Sequence, residues 1–481
     1  MSRAVDLAVI GAGPAGLAAA IEARRIGLSV LLIDEQPGVG GQIYRATDTS
    51  PVSGSGILGA EYRRGGELAL SFRASGARHM AGSTLVDITA DGWIGFEGPD
   101  GVEFVEAAQI ILASGAVERP FPVPGWTLPG VMTVGAAQTV LKASGAAPQD
   151  DAVLVGSGPL LYLYAVQLLR SGRRPQAIVD TAPRLPALRA LRHFPRALAA
   201  PLYLAKGLRL LNEIRKSGTV HHRGATGIRI EGADAAESIV FQASGRRHSL
   251  NTSLVLLHQG VVPNIQITQA LRCRHRWDDA QLCWVPETDE WAQTSRPGLR
   301  VAGDGAGIAG ALAAEYRGRI AAIGAALALD RIVEPDAEER ARPLRRLLKT
   351  ELAARPLLDA LYRPADDLRV PSEPDTIVCR CEEVTLGDIS RAVTMGCPGP
   401  NQLKAFVRAG MGPCQGRMCA LTVTETIASL RGRHPGEIGS YRLRPPFKPT
   451  TLGALAAMKL PDAPEIDRAG NTGTVELAEQ S

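Results

Sequence analysis

Four thiols in the C-terminal quarter of the chain have types and spacing suited to metal or redox chemistry. Cys379 and Cys381 stand one residue apart in VCRCEEVT, and Cys414 and Cys419 stand four apart in GMGPCQGRMCALT. Four thiolates can hold a zinc ion or a [2Fe–2S] cluster. Zinc knuckles usually space their cysteines by two to four residues, so C-x-C with C-x4-C fits them poorly. The elements around the thiols read as three helices: 385–395, with Thr385 as cap and Asp388 in the first turn, 401–409, and 419–430. Both pairs then fall in loops at helix ends, where four sulfurs can converge. Gly410, Gly412 and Gly416 would leave room for backbone beside a bulky cluster. Arg380, Arg408 and Arg417 would offset its negative charge, or belong to an Arg-rich surface.

A second chemistry is written at the other end of the chain. Residues 6–10 read as a buried strand, followed by Gly11-Ala12-Gly13-Pro14-Ala15-Gly16, a helix, a strand over 29–33, and then Asp34-Glu35. Gly11 permits the tight turn, Gly13 lets backbone approach a pyrophosphate, and Gly16 lets the helix pack closely on the sheet. The helix N-terminus turns unpaired N–H groups and a positive dipole end toward phosphate. An acid roughly 20 residues on receives the adenosine ribose hydroxyls. Glu35 is the preferred acid and Asp34 the alternative. This fingerprint does not separate FAD from NAD, and its plainest reading is a glycine turn between core elements.

A similar unit opens near residue 149. Its strand, 152–155, leads into Gly156-Ser157-Gly158-Pro159-Leu160-Leu161, and its next strand ends at Asp180. Leu161 stands where the fingerprint has its third glycine and should hold helix and sheet farther apart. NAD(P) or ATP could bind at Gly156 and Gly158, with Asp180 favouring a free ribose hydroxyl. The alternative is a fold kept without its ligand. His258, in LVLLHQGVVPN, is the one candidate for proton transfer. A hydrogen-bonded structural histidine is the plainer reading. Catalytic residues are otherwise unassigned.

With 481 residues and 45% hydrophobic content, the chain has enough for two or three packed domains. The formal charge of +4 is too slight and too dispersed for nucleic-acid binding. No run of about 18 apolar residues suggests a membrane span, and the N-terminus does not read as a signal peptide. Seven cysteines, none before Cys273, point to a reducing cytoplasm rather than a disulfide framework. Cys273 and Cys283 read as structural or incidental thiols.

Further along, QIILASG (109–115) places a strand before Ala113-Ser114-Gly115, and TSRPGLRVAGDGAGIAG (294–310) places one before Gly303-Asp304-Gly305. These segments resemble those of two-dinucleotide flavoproteins, the glutathione and thioredoxin reductase superfamily, and Gly40-Gly41-Gln42 resembles the flavin-side segment. The resemblance implies FAD, with Asp304 at its ribityl–pyrophosphate region. The redox cysteine pairs of those reductases are missing, which disfavours disulfide reduction. The expected fold is α/β: a two-dinucleotide-binding-domain flavoprotein with a small C-terminal helical iron–sulfur domain. The boundaries read as an FAD-binding domain over 1–148 and 291–330, an inserted nucleotide-binding-like domain over 149–290, a helical connector over 331–370, a [2Fe–2S] domain over 371–435 and a tail over 436–481. The tail is too apolar to be free.

The cysteine block resembles bacterioferritin-associated ferredoxin domains, which implies a [2Fe–2S] cluster on Cys379, Cys381, Cys414 and Cys419. The chain as a whole, through VDLAVIGAGPAG, DEQPGVGGQIY, ASGAVERPFPVPGW, VLVGSGP and CRCEEVT…GPCQGRMC, resembles the α subunits of heteromeric amino-acid and opine oxidoreductases. That group includes the A subunit of opine oxidase, the α subunits of D-hydroxyproline and L-proline dehydrogenases, and the B subunit of hydrogen cyanide synthase. The resemblance implies a D-amino-acid-oxidase-like flavoprotein β subunit that oxidizes a secondary amine, with this chain relaying its electrons. It leaves room for an FMN at a subunit interface and for a small ferredoxin-like subunit. The rival expectations are a stand-alone NAD(P)H-dependent flavin oxidoreductase and a non-catalytic scaffold or redox sensor.

Overall fold

The computed structural model describes residues 5–89, 91–98, 101–149, 151–183 and 190–458. The ends of the expected first domain and tail, 1–4 and 459–481, lie outside the described residues.

The strand Val5–Ile10 is flanked by two parallel neighbours, Val30–Asp34 and Gly101–Leu112. Arg78–Ala81 extends this sheet on one side, and Leu299–Val301 pairs with the far end of Gly101–Leu112. The central strands are near-continuous apolar runs because helices and other elements cover both faces. Leu7, Ala8 and Val9 are fully buried. The helices Pro14–Ile26 and Ala311–Ala328 pack tightly on one another. A Cβ at Gly318 would stand 2.1 Å from the Ala15 carbonyl oxygen, so small residues on both helices permit the approach.

A second, all-parallel sheet has the order Val220–Arg223, Ala177–Asp180, Val153–Gly156, Val255–His258, Val131–Thr133. Its last strand lies upstream of residue 149, so this unit takes in residues the sequence assigns to the first domain. A three-residue strand is too short to show a pattern, and only its pairing reveals it. Leu161 is fully buried in this unit's core with Val134, Leu154 and Leu256. The ribbon formed by Ala116–Glu118 and Val261–Pro263 runs between the two units.

The connector forms the helices Glu334–Glu351 and Arg355–Leu361. Beyond it, Leu386–Thr394, Pro400–Val407 and Ala420–Arg431 surround a small core of Val378, Ile389, Leu403, Val423 and Tyr441. Thr385 and Asp388 form a reciprocal capping box on the first of these helices. Tyr441 places the start of the expected tail inside this core rather than after it. The chain then crosses the first domain, where Phe447 is buried beside Leu85, Phe96 and Val105. Among the described residues, no helix is long and apolar enough to cross a membrane.

Candidate functional site

The first glycine turn is shaped by backbone that nearly touches backbone. Gly11 has φ +107°, and a Cβ there would stand 2.5 Å from the Ala113 carbonyl oxygen. A Cβ at Gly16 would stand 1.8 Å from the Gly11 carbonyl oxygen. The 40–42 segment folds over the same turn: the Gly40 N–H donates to the Ala12 carbonyl at 2.8 Å, and a Cβ at Gly41 would stand 2.8 Å from the Gly13 Cα. Pro14 opens the helix with Gly13 as its cap. The turn is glycine backbone packed against backbone, which fits the close approach of a pyrophosphate.

The two acids after the second strand have separate partners. Asp34 receives the Ala12 N–H at 2.5 Å and the Gln36 N–H at 2.7 Å. Its carboxylate is thereby fastened to the turn. Glu35 forms an ion pair with Lys448 from the C-terminal segment. Across the sheet, Ser114 Oγ donates to the Asn264 carbonyl at 3.0 Å, and the Gly115 carbonyl receives the Asn264 N–H. Gly303 lies against the Ala15 methyl, and Asp304 Oδ1 receives the N–H groups of Ala309 and Gly310 at 2.8 and 3.1 Å. Gln42 is held by Arg45 and by Lys142, whose ammonium donates to the Gln42 carbonyl at 3.1 Å. Burial pushes Lys142 down to about 7.

The second glycine turn is as closely packed on backbone as the first, with the His258 side chain beside it. A Cβ at Gly156 would stand 1.6 Å from the His258 carbonyl oxygen, and one at Gly158 would stand 3.2 Å from His258 Nε2. His258 is buried, and its Nδ1 lies 2.7 Å from Glu118 Oε1. Glu118 also receives the Gly135 N–H at 3.1 Å. Asp180 receives the Tyr162 hydroxyl at 2.7 Å and the Ala182 N–H at 2.8 Å. Its carboxylate is thus committed to the protein rather than turned toward a ribose. His258 holds a packing position between two chain segments.

The four C-terminal thiols meet as two pairs. Cys379 and Cys419 are buried, Cys381 is exposed, and Cys414 is half-buried. A hydrogen bond from the Cys419 thiol brings Cys379 down to about 6, against its burial, and the Gly410 N–H lies 3.5 Å from its Sγ. Burial raises Cys381, which also has backbone and side-chain hydrogen bonds with Cys414. The two pairs sense each other's charge, since Cys414 and Cys379 both raise Cys419. Among the described residues, no three His, Cys, Asp or Glu side chains are arranged to hold a metal ion. The donor set thus suits a thiolate-held group by type, while its present arrangement is pairwise. Only Gly412 has its open side toward a thiol, with a would-be Cβ 3.4 Å from Cys381 Sγ. Gly410 and Gly416 instead make room for the Tyr441 ring, at 2.5 and 2.7 Å. Arg417 donates to Gln266 and to the Phe447 carbonyl, and Arg408 pairs with Glu382. Cys273 and Cys283 are buried and unpaired, and burial pushes Cys283 up to about 12.

A family profile described as pyridine nucleotide-disulphide oxidoreductase matches residues 5–327, and one described as sarcosine oxidase A3 domain matches residues 373–459. The A subunit of opine oxidase from Rhizobium meliloti is 43% identical over 461 residues, which cover 94% of this chain and 87% of that protein. The chain belongs to the family of opine oxidase A subunits. It is an oxidoreductase of that family, built on the pyridine nucleotide-disulphide oxidoreductase fold. Hydrogen cyanide synthase subunit HcnB of Pseudomonas aeruginosa is 32% identical over 459 residues, covering 93% of this chain and 97% of that protein. The crystal structure of L-proline dehydrogenase from P. horikoshii shares the fold, with a TM-score of 0.69 at 19% identity over 94% of this chain and 80% of that one.

For this family member, four residues of the assembled site escaped the sequence reading. Tyr441 lies 3.9 Å from Cys419 Sγ, and Lys448 lies beside Glu35. Glu425, buried on the helix that follows Cys419, pairs with Arg369 and lies 3.9 Å from Arg119. Lys142 underpins Gln42. Gly410 and Gly416 were a signal for Tyr441, since small residues flanking the thiols imply a bulky neighbour. Nothing local marks the other three.

Proposed function

We propose that this chain is the FAD-binding, [2Fe–2S]-binding α subunit of a heteromeric oxidoreductase acting on the CH–NH bond of a secondary amine such as proline, hydroxyproline or an opine. One observation carries the reading: a glycine cradle with no room for side chains and two convergent thiol pairs lie on a single chain. The names of the relatives, each one lettered subunit of an oxidase or synthase, support a partner. A D-amino-acid-oxidase-like β subunit would oxidize the amine.

In this reading the backbone N–H groups at the start of the helix Pro14–Ile26 face the FAD pyrophosphate, Gly13 lets it approach, Gly11 and Gly16 permit the tight turn and the close packing of the helix, and Asp34 keeps the turn in shape. Glu35 receives the ribose hydroxyls. Asp304 has one oxygen committed to backbone and the other available to a flavin-side hydroxyl. Ala113, Ser114, Gly115, Gly41 and Gln42 line the same space. Cys379, Cys381, Cys414 and Cys419 are the ligands of the cluster. When bound, a flavin exchanges electrons in pairs or singly, whereas a [2Fe–2S] cluster exchanges them one at a time. The chain's own task is to hold both groups at fixed positions.

Anaerobic absorption and EPR spectra before and after dithionite, with iron and sulfide assays, test this reading. The expected result is flavin bands, equal amounts of iron and sulfide, and a one-electron signal that Cys379→Ser abolishes. Bound zinc without a signal would remove the cluster from the proposal. Full-rate oxidation of proline or an opine by the isolated chain would overturn the division of labour.

A further inference from the structure

The chain leaves the thiol-bearing core at Tyr441 and lies as a strap over the first domain. Phe447 anchors it: the ring is 3% exposed, and its N–H donates to the Val86 carbonyl at 3.0 Å. The thiol loop holds the same stretch from the other side. Gln415 donates to the Pro446 carbonyl at 2.7 Å, and Arg417 donates to the Phe447 carbonyl at 2.8 Å. Both residues lie between Cys414 and Cys419. The next residue, Lys448, pairs with Glu35.

Burial of Phe447 and its backbone bonds are enough to dock the strap. A half-exposed ion pair, 40% and 38% exposed at its two side chains, adds little to docking. Lys448 is nevertheless directed at the one acid after the second strand that the glycine turn does not use. Asp34 cannot replace it, because its carboxylate already receives the Ala12 and Gln36 N–H groups.

We infer that the strap forms a wall at the adenosine end of the nucleotide site, and that Lys448 is a positioning residue that holds the Glu35 carboxylate aimed at the ribose hydroxyls. This rests on the reading of the first turn as an adenine-dinucleotide site. The pairing makes nucleotide affinity depend on a segment that the thiol loop itself holds. An adenine nucleotide on the first domain and the conformation of the 414–419 loop are then linked through residues 446–448.

The test measures dissociation constants of FAD, by flavin fluorescence, and of ADP, by calorimetry, on the nucleotide-stripped full chain. ADP carries the adenosine and pyrophosphate common to this ligand class, so it reports on the strap independently of the flavin. Lys448→Met is expected to weaken both ligands about tenfold (roughly 1.4 kcal/mol). Lys448→Arg is expected to restore affinity to within about threefold. In a Glu35→Gln background, Lys448→Met is expected to add less than about twofold, because the lysine acts through the glutamate. Protease resistance of the strap should be unchanged in Lys448→Met, since Phe447 docks it. Unchanged affinity in Lys448→Met, or full additivity with Glu35→Gln, would overturn the inference. Wild-type chain that binds ADP but not FAD would refute the flavin reading, while the ADP series still decides the role of Lys448. Wild-type chain that binds neither overturns both.

Discussion

Gly16→Ala is the sharpest test of the nucleotide cradle. The new Cβ would stand 1.8 Å from the Gly11 carbonyl oxygen, 3.0 Å from its carbon and 3.3 Å from Val9 Cγ1. Ordinary contact begins at 3.4 Å, so turn and helix must part by about 1.5 Å. No rotamer change can relieve this, because the obstacle is backbone. The turn cannot simply yield, because the Gly11 N–H is bonded to the Ile33 carbonyl at 2.8 Å. Overpacking of this kind costs about 1–3 kcal/mol, and a rigid obstacle puts Gly16→Ala at the upper end. Taken wholly from binding, that is about a hundredfold in the FAD dissociation constant. Taken from folding, it appears as a lower urea midpoint. Gly38→Ala is the control: nothing lies within 4 Å of its would-be Cβ, and its φ is not left-handed. It should stay within about 0.5 kcal/mol of wild type. Flavin titration and urea denaturation on the same preparations separate the two effects. Wild-type FAD affinity together with a wild-type urea midpoint in Gly16→Ala would refute the close-approach argument.

Glu425→Gln removes the carboxylate shared by the half-buried Arg369, which keeps Asp366, and the buried Arg119, which keeps only the Gln281 and Leu282 carbonyls. It should cost about 3–5 kcal/mol and expose the 364–375 linker to limited proteolysis. An unchanged cleavage pattern would count against that ion pair as a dock for the thiol-bearing helix. Lys142 has its folded value lowered from 10.5 to about 7, so the folded chain releases this proton before the unfolded chain does. Its burial penalty is greatest below about pH 7, and stability rises with pH from there toward about 10.5, by about 2 kcal/mol between pH 7 and 9. The urea midpoint across that range should therefore climb in wild type and flatten in Lys142→Met. Finally, NADH and NADPH should fail to bleach the flavin of the isolated chain anaerobically. His258 packs on Gly158, Leu161 replaces the third glycine, and Asp180 is committed to Tyr162; rapid bleaching would refute the inference that this turn takes no nicotinamide nucleotide.

Much of the architecture was readable because its signals are local. The helices at 385–395, 401–409 and 419–430 were marked by caps and periodicity, and the structure has Leu386–Thr394, Pro400–Val407 and Ala420–Arg431 there. Short elements without periodicity were not readable. Val131–Thr133 joins the second sheet through its pairing with Val255–His258, and no residue in it announces that. The role given to Gly410 and Gly416 shifted for a similar reason. The sequence shows that something bulky must lie beside them, but only packing shows that it is the Tyr441 ring.

By itself, the sequence determined the two glycine turns, the strands and helices around them, and the loop that carries Cys414 and Cys419 into a helix; Cys379, expected in a loop at a helix end, instead closes the strand Ile377–Cys379, with Cys381 in the turn after it. Turn geometry and helix caps are set by residues a few positions apart, so composition and spacing suffice. Only the tertiary structure decided which thiols pair, that His258 packs beside Gly158, and that Asp34 braces the first turn while Glu35 faces Lys448. Glu35 and Lys448 are 413 residues apart in sequence. Their meeting follows from where Phe447 finds an apolar pocket, beside Leu85, Phe96 and Val105, residues that only the folded sheet brings to it.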